Sequence, residues 1–150
     1  MKAILKIGLL IETSNAYARG LIGGIVAYVR ENSHRSLYLS DFCPDDKPPG
    51  WLAKWNGHGI IARVEGAAIA EALRQVNVPV VDVSAARLIH SLPSVVSDDC
   101  GIAHLAAEHL LQRGFKYFGY CGNPGLNWSS LRGEHFQKYL RGAGWDLWQC

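Results

Sequence analysis

Polar side chains with aromatic neighbours follow most of the predicted strands of this 150-residue sequence. Their carboxylate, amide and guanidinium groups form paired hydrogen bonds, which suits them to hold a small polar ligand. In a parallel sheet such residues meet beyond the carboxyl ends of the strands, where ligands bind. The residues are Glu12, Asn15, Tyr17, Asp41, Arg63, Asp82, Ser84, Arg87, Asp98, Asp99, Asn123, Asn127 and Trp128.

Three other chemistries have weaker support in the sequence. The spaced glycines of residues 119–125 follow a strand, but a turn is predicted where a dinucleotide-binding fingerprint needs the start of a helix. His104 and His109 are five residues apart, so they do not share the helix face that two metal ligands require. Asp98 and Asp99 are adjacent and point in different directions, which makes a poor acid–base pair. We therefore expect no cofactor, no metal site and no catalytic residue.

The composition is typical of one soluble globular domain, with 49% hydrophobic and 19% charged residues. The formal net charge of +2 is spread without a basic run, so the sequence presents no DNA-binding face of its own. Lys6 interrupts the N-terminal apolar run, which is unlike a signal peptide or a membrane span. The four cysteines, Cys43, Cys100, Cys121 and Cys150, contain no C-x-x-C pair. We expect free thiols and a cytoplasmic protein that does not bind membranes.

Strand and helix patterns alternate along the chain. Five parallel strands with intervening helices predict an α/β fold with a doubly wound parallel sheet. Gly20, Gly23 and Gly24 interrupt the first helix and predict its close packing on that sheet. The predicted strands are residues 3–11, 36–39, 57–64, 78–83 and 117–121, and the predicted helices are residues 17–30, 67–76 and 129–140, with a short helix near Trp51 and Trp55 and a final strand that begins near Trp145.

Residues 95–122 predict one complete βαβ unit. Val95 and Val96 end a short strand, and Ser97 to Asp99 offer capping oxygens for the amphipathic helix that follows. Gly114 occupies the position after that helix, where a left-handed backbone is favoured, and an apolar strand runs to Cys121. Such a crossover is nearly always right-handed, which assigns the α/β class.

The βαβ segment, with H-L-A-A-E-H-L-L at its centre, resembles the effector domain of the lactose/galactose-repressor and periplasmic sugar-binding superfamily. Four further motifs are similar to the xylose-operon regulators. They are L-L-I-E-T-S-N-A-Y-A-R-G-L-I from Leu9, W-x-x-x-G-I-I-A-R from Trp55, P-V-V-D-V-S from Pro79 and N-W-S-x-x-R-x-x-x-F from Asn127. In these regulators a sugar-binding domain starts the chain and an AraC-type pair of helix-turn-helix motifs ends it.

The resemblance implies a type I periplasmic-binding-protein-like fold, with residues 1–122 as the N-terminal lobe. Residues 123–150 would hold the hinge crossover and the start of an incomplete second lobe, and the helix-turn-helix domain is absent from this chain. The implied mechanism is closure of two lobes on a pentose, first of all D-xylose, which shifts a homodimer between DNA-binding states. The alternative is a stand-alone sugar-binding domain without DNA-binding function, and the gene downstream of Cys150 distinguishes the two.

A pentose is held by planar polar groups that pair with its hydroxyls and by an aromatic face against its C–H surface. The alternatives are a purely capping role for Asp98, interlobe packing for Trp128, and solvated helix positions for Arg19 and Arg132. The positions that match the family's motifs predict as ligand-binding residues Tyr17, Arg19, Arg63, Asp98, Asn127, Trp128 and Arg132.

Overall fold

The computed structural model describes residues 3–32, 34–40 and 47–149, with the backbone alone for residues 147–149. The chain divides into two compact units, residues 1–95 (unit 1) and residues 96–150 (unit 2). Asp41, Cys43 and Cys150 lie outside the described residues. Cys100 and Cys121 are exposed free thiols.

Unit 1 is built on a four-stranded parallel sheet in the order β2-β1-β3-β4. In this sheet Leu10 of β1 lies opposite Ala62 of β3, and Ala62 lies opposite Asp82 of β4. The residues that follow β1 and β3 therefore share one edge of the sheet with the end of β4. The elements are β1 (Leu5–Leu10), α1 (Ala16–Glu31), β2 (Arg35–Leu39), a one-turn 3₁₀ helix (Leu52–Lys54), β3 (Gly59–Ala62), α2 (Ala67–Arg74) and β4 (Val80–Asp82).

Apolar side chains of unit 1 pack into two cores. One core joins α2 and the 3₁₀ helix to the sheet, and its fully buried members include Leu10, Leu52 and Ile69. The other core lies under α1 and includes Ile11 and Ala18. The carboxyl half of β1 and most of β3 are buried, which fits their apolar sequence.

Unit 2 contains α3 (Asp99–Gln112), β5 (Phe118–Tyr120), α4 (Asn127–Gly142) and β6 (Leu147–Gln149). Strands β5 and β6 form a two-stranded parallel sheet, so the last predicted strand does form. Gly114 has a φ of 79°, as the predicted helix end requires. The core of this unit consists of Ala103, Ala107, Phe118, Phe136 and Leu140.

The α/β class is confirmed, but two details of the predicted sheet are wrong. The predicted five-stranded sheet is a four-stranded sheet and a two-stranded sheet, because β5 pairs with β6. Val95 and Val96 are not in a strand: they are 66% and 38% exposed, and the preceding Ser94 makes a single bridge to Asp82. β-branched side chains favour a strand only where a partner edge is available along their length.

The predicted role of the helix glycines is also wrong. A Cβ atom at Gly20, Gly23 or Gly24 would meet nothing within 4 Å. These positions of α1 therefore lie over open space, and no close helix-on-sheet approach requires them to be glycine.

The division into units differs from the predicted lobe boundary at residues 122/123. Helix α3 packs on α4 through Ala103, Ala107 and Phe136, and β5 pairs with β6. The boundary between the two compact units accordingly falls between residues 95 and 96 of the sequence. The lobe boundary of a two-lobed protein stays a prediction.

Leu140 tests the core of unit 2, because its side chain is fully buried in α4. Leu140→Ala is expected to lower the free energy of unfolding by about 2–5 kcal/mol, through lost apolar burial and the cavity left behind. Urea denaturation followed by circular dichroism measures the change. Leu105→Ala on α3 is the matched control, since Leu105 is 69% exposed and should cost less than about 1 kcal/mol. Equal losses in the two variants would contradict the described packing.

Candidate functional site

Arg63 is the centre of a polar cluster at the carboxyl edge of the unit 1 sheet. Its guanidinium pairs through Nη1 with Oε1 of Glu12, and Nη2 lies 2.6 Å from Oε1 of Glu65. The ring of Tyr17 lies 5.4 Å from Cζ of Arg63, within the range of a cation–π contact. We call Glu12, Asn15, Tyr17, Arg63 and Glu65 the Arg63 cluster.

The strand register explains why these residues meet. Arg63 follows β3 directly, and its backbone N–H donates to the carbonyl of Leu10 at 2.9 Å. Glu12 lies two residues beyond Leu10 and is buried, with 2% of its surface exposed. Two predicted site residues, Tyr17 and Arg63, are thus brought together. Glu12 follows a strand in the sequence, but nothing in the pattern distinguished it from its polar neighbours.

Asp82 at the end of β4 holds the neighbouring backbone. Its Oδ1 accepts hydrogen bonds from the N–H groups of Ser84 at 2.8 Å and Val64 at 3.2 Å. Burial raises the pKa of Asp82, against the lowering effect of these hydrogen bonds and of the charge on Arg87. The carboxyl edge of the sheet is therefore a place where a negative charge has lost much of its hydration.

The pKa of Glu65 is also raised. Burial raises its pKa, the charge of Arg63 opposes the shift, and the charges of Glu12 and Asp82 add to it. Three carboxyl groups thus interact at this edge, and the guanidinium groups of Arg63 and Arg87 offset part of their negative charge.

Three polar atoms at this edge are buried and have no hydrogen-bond partner among the described residues. They are Oε2 of Glu12, Nε of Arg63 and Oδ2 of Asp82. Buried polar atoms are nearly always hydrogen-bonded in folded proteins. Two of these atoms are acceptors and one is a donor, and each can form a hydrogen bond with a hydroxyl group.

Arg19 has a different role in the structure from Tyr17. Its Nη1 donates to the carbonyls of Thr13 at 2.9 Å and Ser14 at 3.0 Å. Asn15, in the same loop, caps α1 by accepting from the N–H of Ala18 at 2.8 Å. Arg19 therefore fastens the loop between β1 and α1, and its predicted contact with a ligand stays a prediction.

A second polar group lies in unit 2, around Arg132. Its Nε donates to Oδ1 of Asp99 at 2.7 Å, and its Cζ lies 4.8 Å from the ring centroid of Trp128. Asp99 is 9% exposed and Arg132 has 29% of its side chain exposed. The predicted pair of Trp128 and Arg132 is thus adjacent. The carboxylate that holds Arg132 belongs to Asp99, which was not among the predicted ligand-binding residues.

Asp98 caps α3. Its Oδ1 accepts from the N–H of Gly101 at 3.0 Å, and its side chain is exposed. The structure thus shows that Asp98 caps the helix, and its contact with a ligand remains a prediction. Asn127 is the exposed first residue of α4, and its predicted role likewise remains a prediction.

Tyr120, which ends β5, fixes the turn before α4. Its hydroxyl donates to the carbonyl of Ser129 at 2.6 Å, and the Ser129 Oγ accepts from the N–H of Asn123 at 2.9 Å. A Cβ at Gly122 or Gly133 would approach the Tyr120 ring to 2.6 or 2.7 Å, so both positions require glycine. A cavity of about 420 Å³ lies beside this turn.

A cleft of about 880 Å³ lies in unit 1, between α1 and the sheet. Its walls are largely apolar side chains such as Ile7, Leu37 and Val81. Gly20 and Gly24 line it too, which accounts for the open space above them. Such a lining offers few partners for ligand hydroxyls, so we place the candidate site at the polar cluster and not in this cleft.

Within the described parts of the chain, no group of three or more His, Cys, Asp or Glu side chains is arranged to hold a metal ion. In the same residues, no helix combines the length and the apolar character that crossing a bilayer requires.

Comparison with known proteins places the sequence in a family. Residues 6–96 match the family described as the XylR N-terminal domain. This chain belongs to that family. The xylose operon regulatory protein of Escherichia coli strain K12 is 30% identical over 145 residues, which cover 90% of this chain and 36% of the relative. The chain thus spans about a third of the length of the curated relatives it matches.

Solved structures related to this XylR-family chain have the same fold. The structure of the xylose-binding transcription activator xylR has a TM-score of 0.72 at 26% identity, over 96% of this chain and 38% of that one. A periplasmic binding protein/LacI transcriptional regulator from Alkaliphilus metalliredigens, complexed with D-xylulofuranose, has a TM-score of 0.70 at 20% identity. The matched region covers 97% of this chain and 56% of the chain of that regulator.

The cap at Asp98 can be tested by substitution. Asp98→Ala is expected to lower the free energy of unfolding by about 1 kcal/mol, because the N–H of Gly101 loses its acceptor. Asp98→Asn should cost only a few tenths of a kcal/mol, since asparagine caps helices about as well. Urea denaturation of both variants measures the difference. An equal loss for both would assign the carboxylate charge, and not the cap, as the stabilising feature.

The raised pKa of Asp82 predicts a pH-dependent effect of Asp82→Asn. The charged carboxylate is disfavoured in the folded state, so the wild type loses stability relative to the variant as the pH rises from the unfolded-state pKa to the raised folded-state pKa. Urea denaturation at several pH values between about 3.5 and 7 should record this trend.

Glu71→Gln on α2 is the matched control for the pH series. Hydrogen bonds from Arg74 and Gln75 lower the pKa of Glu71, so its contribution is present above the unfolded-state pKa and lost as the pH falls. The stability of the wild type relative to this variant should therefore increase as the pH rises, which is opposite to the trend for Asp82→Asn. Parallel trends in the two series would contradict the assigned shifts.

Proposed function

We propose that this chain is the effector-binding part of a DNA-binding transcription regulator and that its effector is a pentose such as D-xylose. The observation that carries the proposal is the Arg63 cluster, where buried donors and acceptors end adjacent strands beside the Tyr17 ring. Membership of the XylR N-terminal domain family supports it. So do the printed descriptions of the relatives, which name a xylose operon regulator and a xylose-binding activator.

The residues proposed to contact the sugar fall into two groups. In unit 1 they are Tyr17 and Arg63, with Arg19 holding the adjoining loop. In unit 2, Trp128 offers an aromatic face and Arg132 offers a guanidinium fixed by Asp99. Asp98 and Asn127 start α3 and α4 and complete the proposed set.

Several parts of the proposal concern a longer protein. We propose that DNA is bound through a C-terminal helix-turn-helix domain, and that the regulator is a cytoplasmic homodimer with no membrane partner and no enzymatic activity. Sugar binding would shift the population of the dimer between DNA-binding states, by as much as the sugar's affinities for those states differ. Packing of α3 and β5 with α4 favours a lobe boundary near residues 95/96.

Calorimetry of the full-length gene product with D-xylose, D-ribose and L-arabinose tests the proposal. We expect at least one pentose to bind, and Trp128→Ala to weaken it by about tenfold, through loss of an aromatic face worth roughly 1 kcal/mol beyond simple burial. Tyr117→Ala is the control in the same unit, because Tyr117 is 88% exposed on the approach to β5. It should leave the affinity unchanged.

Two outcomes would count against this function. If no pentose bound and Trp128→Ala changed no affinity, the site assignment would be wrong. If a pentose bound but left the protein's affinity for DNA upstream of its operon unchanged in gel-shift titrations, the stand-alone sugar-binding alternative would replace the regulator.

A further inference from the structure

Glu12 is the most buried charged residue of the Arg63 cluster, and the structure uses one of its two oxygens. Oε1 is paired with the Arg63 guanidinium and accepts from Nδ2 of Asn15 at 2.6 Å. Asn15 is itself fixed, because its Oδ1 caps α1 at Ala18. The Glu12 carboxylate is thus held in one orientation before any ligand binds.

The second oxygen of Glu12 has no such partner in the part of the chain that the structure describes. Oε2 is buried and unpartnered among the described residues, as are Nε of Arg63 and Oδ2 of Asp82 on the adjacent strands. Leaving a buried acceptor unpaired is unfavourable, and an ion pair to Arg63 needs no second oxygen. A purely structural role therefore leaves Oε2 unexplained.

The chemistry of Oε2 defines what can bind it. A carboxylate oxygen accepts hydrogen bonds and donates none, so its partner must bring an O–H or N–H group. A phosphate or carboxylate on the ligand would place another negative charge beside Glu12, Glu65 and Asp82, which already interact. A neutral polyhydroxy compound supplies the donor without that repulsion.

We propose that Glu12 is a ligand-contacting residue that determines specificity: Oε2 accepts a hydrogen bond from one hydroxyl of a neutral, unphosphorylated sugar, while Arg63 and Asn15 hold Oε1. This inference rests on the proposed function, since it names the ligand class and the contact at the same site. Glu12 thereby distinguishes sugars that carry this hydroxyl group from sugars that lack it.

The test compares the wild type with Glu12→Gln in the full-length gene product. Gln retains the shape and one acceptor for Arg63 but replaces the second oxygen with an amide N–H₂ group. Calorimetry with D-xylose and the four analogues that each lack one hydroxyl measures the affinities. We expect Glu12→Gln to bind D-xylose about tenfold to a hundredfold more weakly than the wild type, which is the usual effect of losing a hydrogen bond to a charged group.

The decisive result is a coupling between residue and hydroxyl. One of the four analogues should bind the wild type as weakly as D-xylose binds the variant, and the variant should bind that analogue no more weakly than the wild type does. Glu71→Gln is the matched control: Glu71 lies on α2 in an exposed ion pair with Arg74, and it should leave all five affinities unchanged. Thermal unfolding without sugar verifies that each variant is folded.

Glu12→Asp is the second variant if Glu12→Gln fails to fold. It keeps the charge and withdraws the carboxylate by one methylene, so the same analogue should reveal the coupling. The inference is overturned if a folded variant binds D-xylose with wild-type affinity, or if its affinity for all five sugars falls by the same factor. Glu12 would then be only a structural ion-pair partner of Arg63. Failure of the wild type to bind any pentose overturns the proposed function instead, together with the inference that rests on it.

Discussion

The parallel pairing of β1 with β3 is the constraint on which the candidate site depends. It sets Leu10 opposite Ala62, so that the next polar residues of both strands, Glu12 and Arg63, leave the sheet at the same edge. They are far apart in the sequence, and no local rule places them together. Once adjacent and buried, each stabilises the charge of the other, because a buried charge without a partner is costly. The strand register therefore makes the carboxyl edge of the sheet polar.

Burial gives that edge its character. The strands end inside two apolar cores, so the carboxylates that follow them lose hydration, and the raised pKa values of Asp82 and Glu65 record this loss. Part of the lost hydration is replaced by fixed groups, namely backbone N–H donors for Asp82 and the guanidinium of Arg63 for Glu65. The remaining polar atoms are oriented by contacts that exist before a ligand arrives. Such preorganisation lowers the cost of binding, since the side chains lose little freedom when the ligand is bound.

The candidate site could be predicted from the sequence in part. Tyr17 with Arg63, and Trp128 with Arg132, were expected at the site, and each pair is in contact. The choice between neighbouring residues was less successful. Asp98 and Asp99 have the same chemistry at adjacent positions, yet Asp98 caps α3 while Asp99 faces Arg132. That difference follows from the direction of α3 toward α4, which is a property of the packed unit.

The order of the elements follows from the sequence, since the hydrophobic period, the helix caps and the glycine at position 114 act over a few residues and reflect local backbone structure. The pairing of the strands, in contrast, is a property of the folded chain. Val95 and Val96 have the composition of a strand, yet their segment joins β4 only through a single bridge, in which the N–H of Val95 donates to the carbonyl of Asp82 at 2.9 Å. Strand β5 pairs with β6 in place of the larger sheet. The tertiary structure also buries Glu12 and leaves one of its oxygens unpaired among the residues that the structure describes. Strand pairing and burial depend on residues distant in the chain, so their energies are not encoded in any single segment.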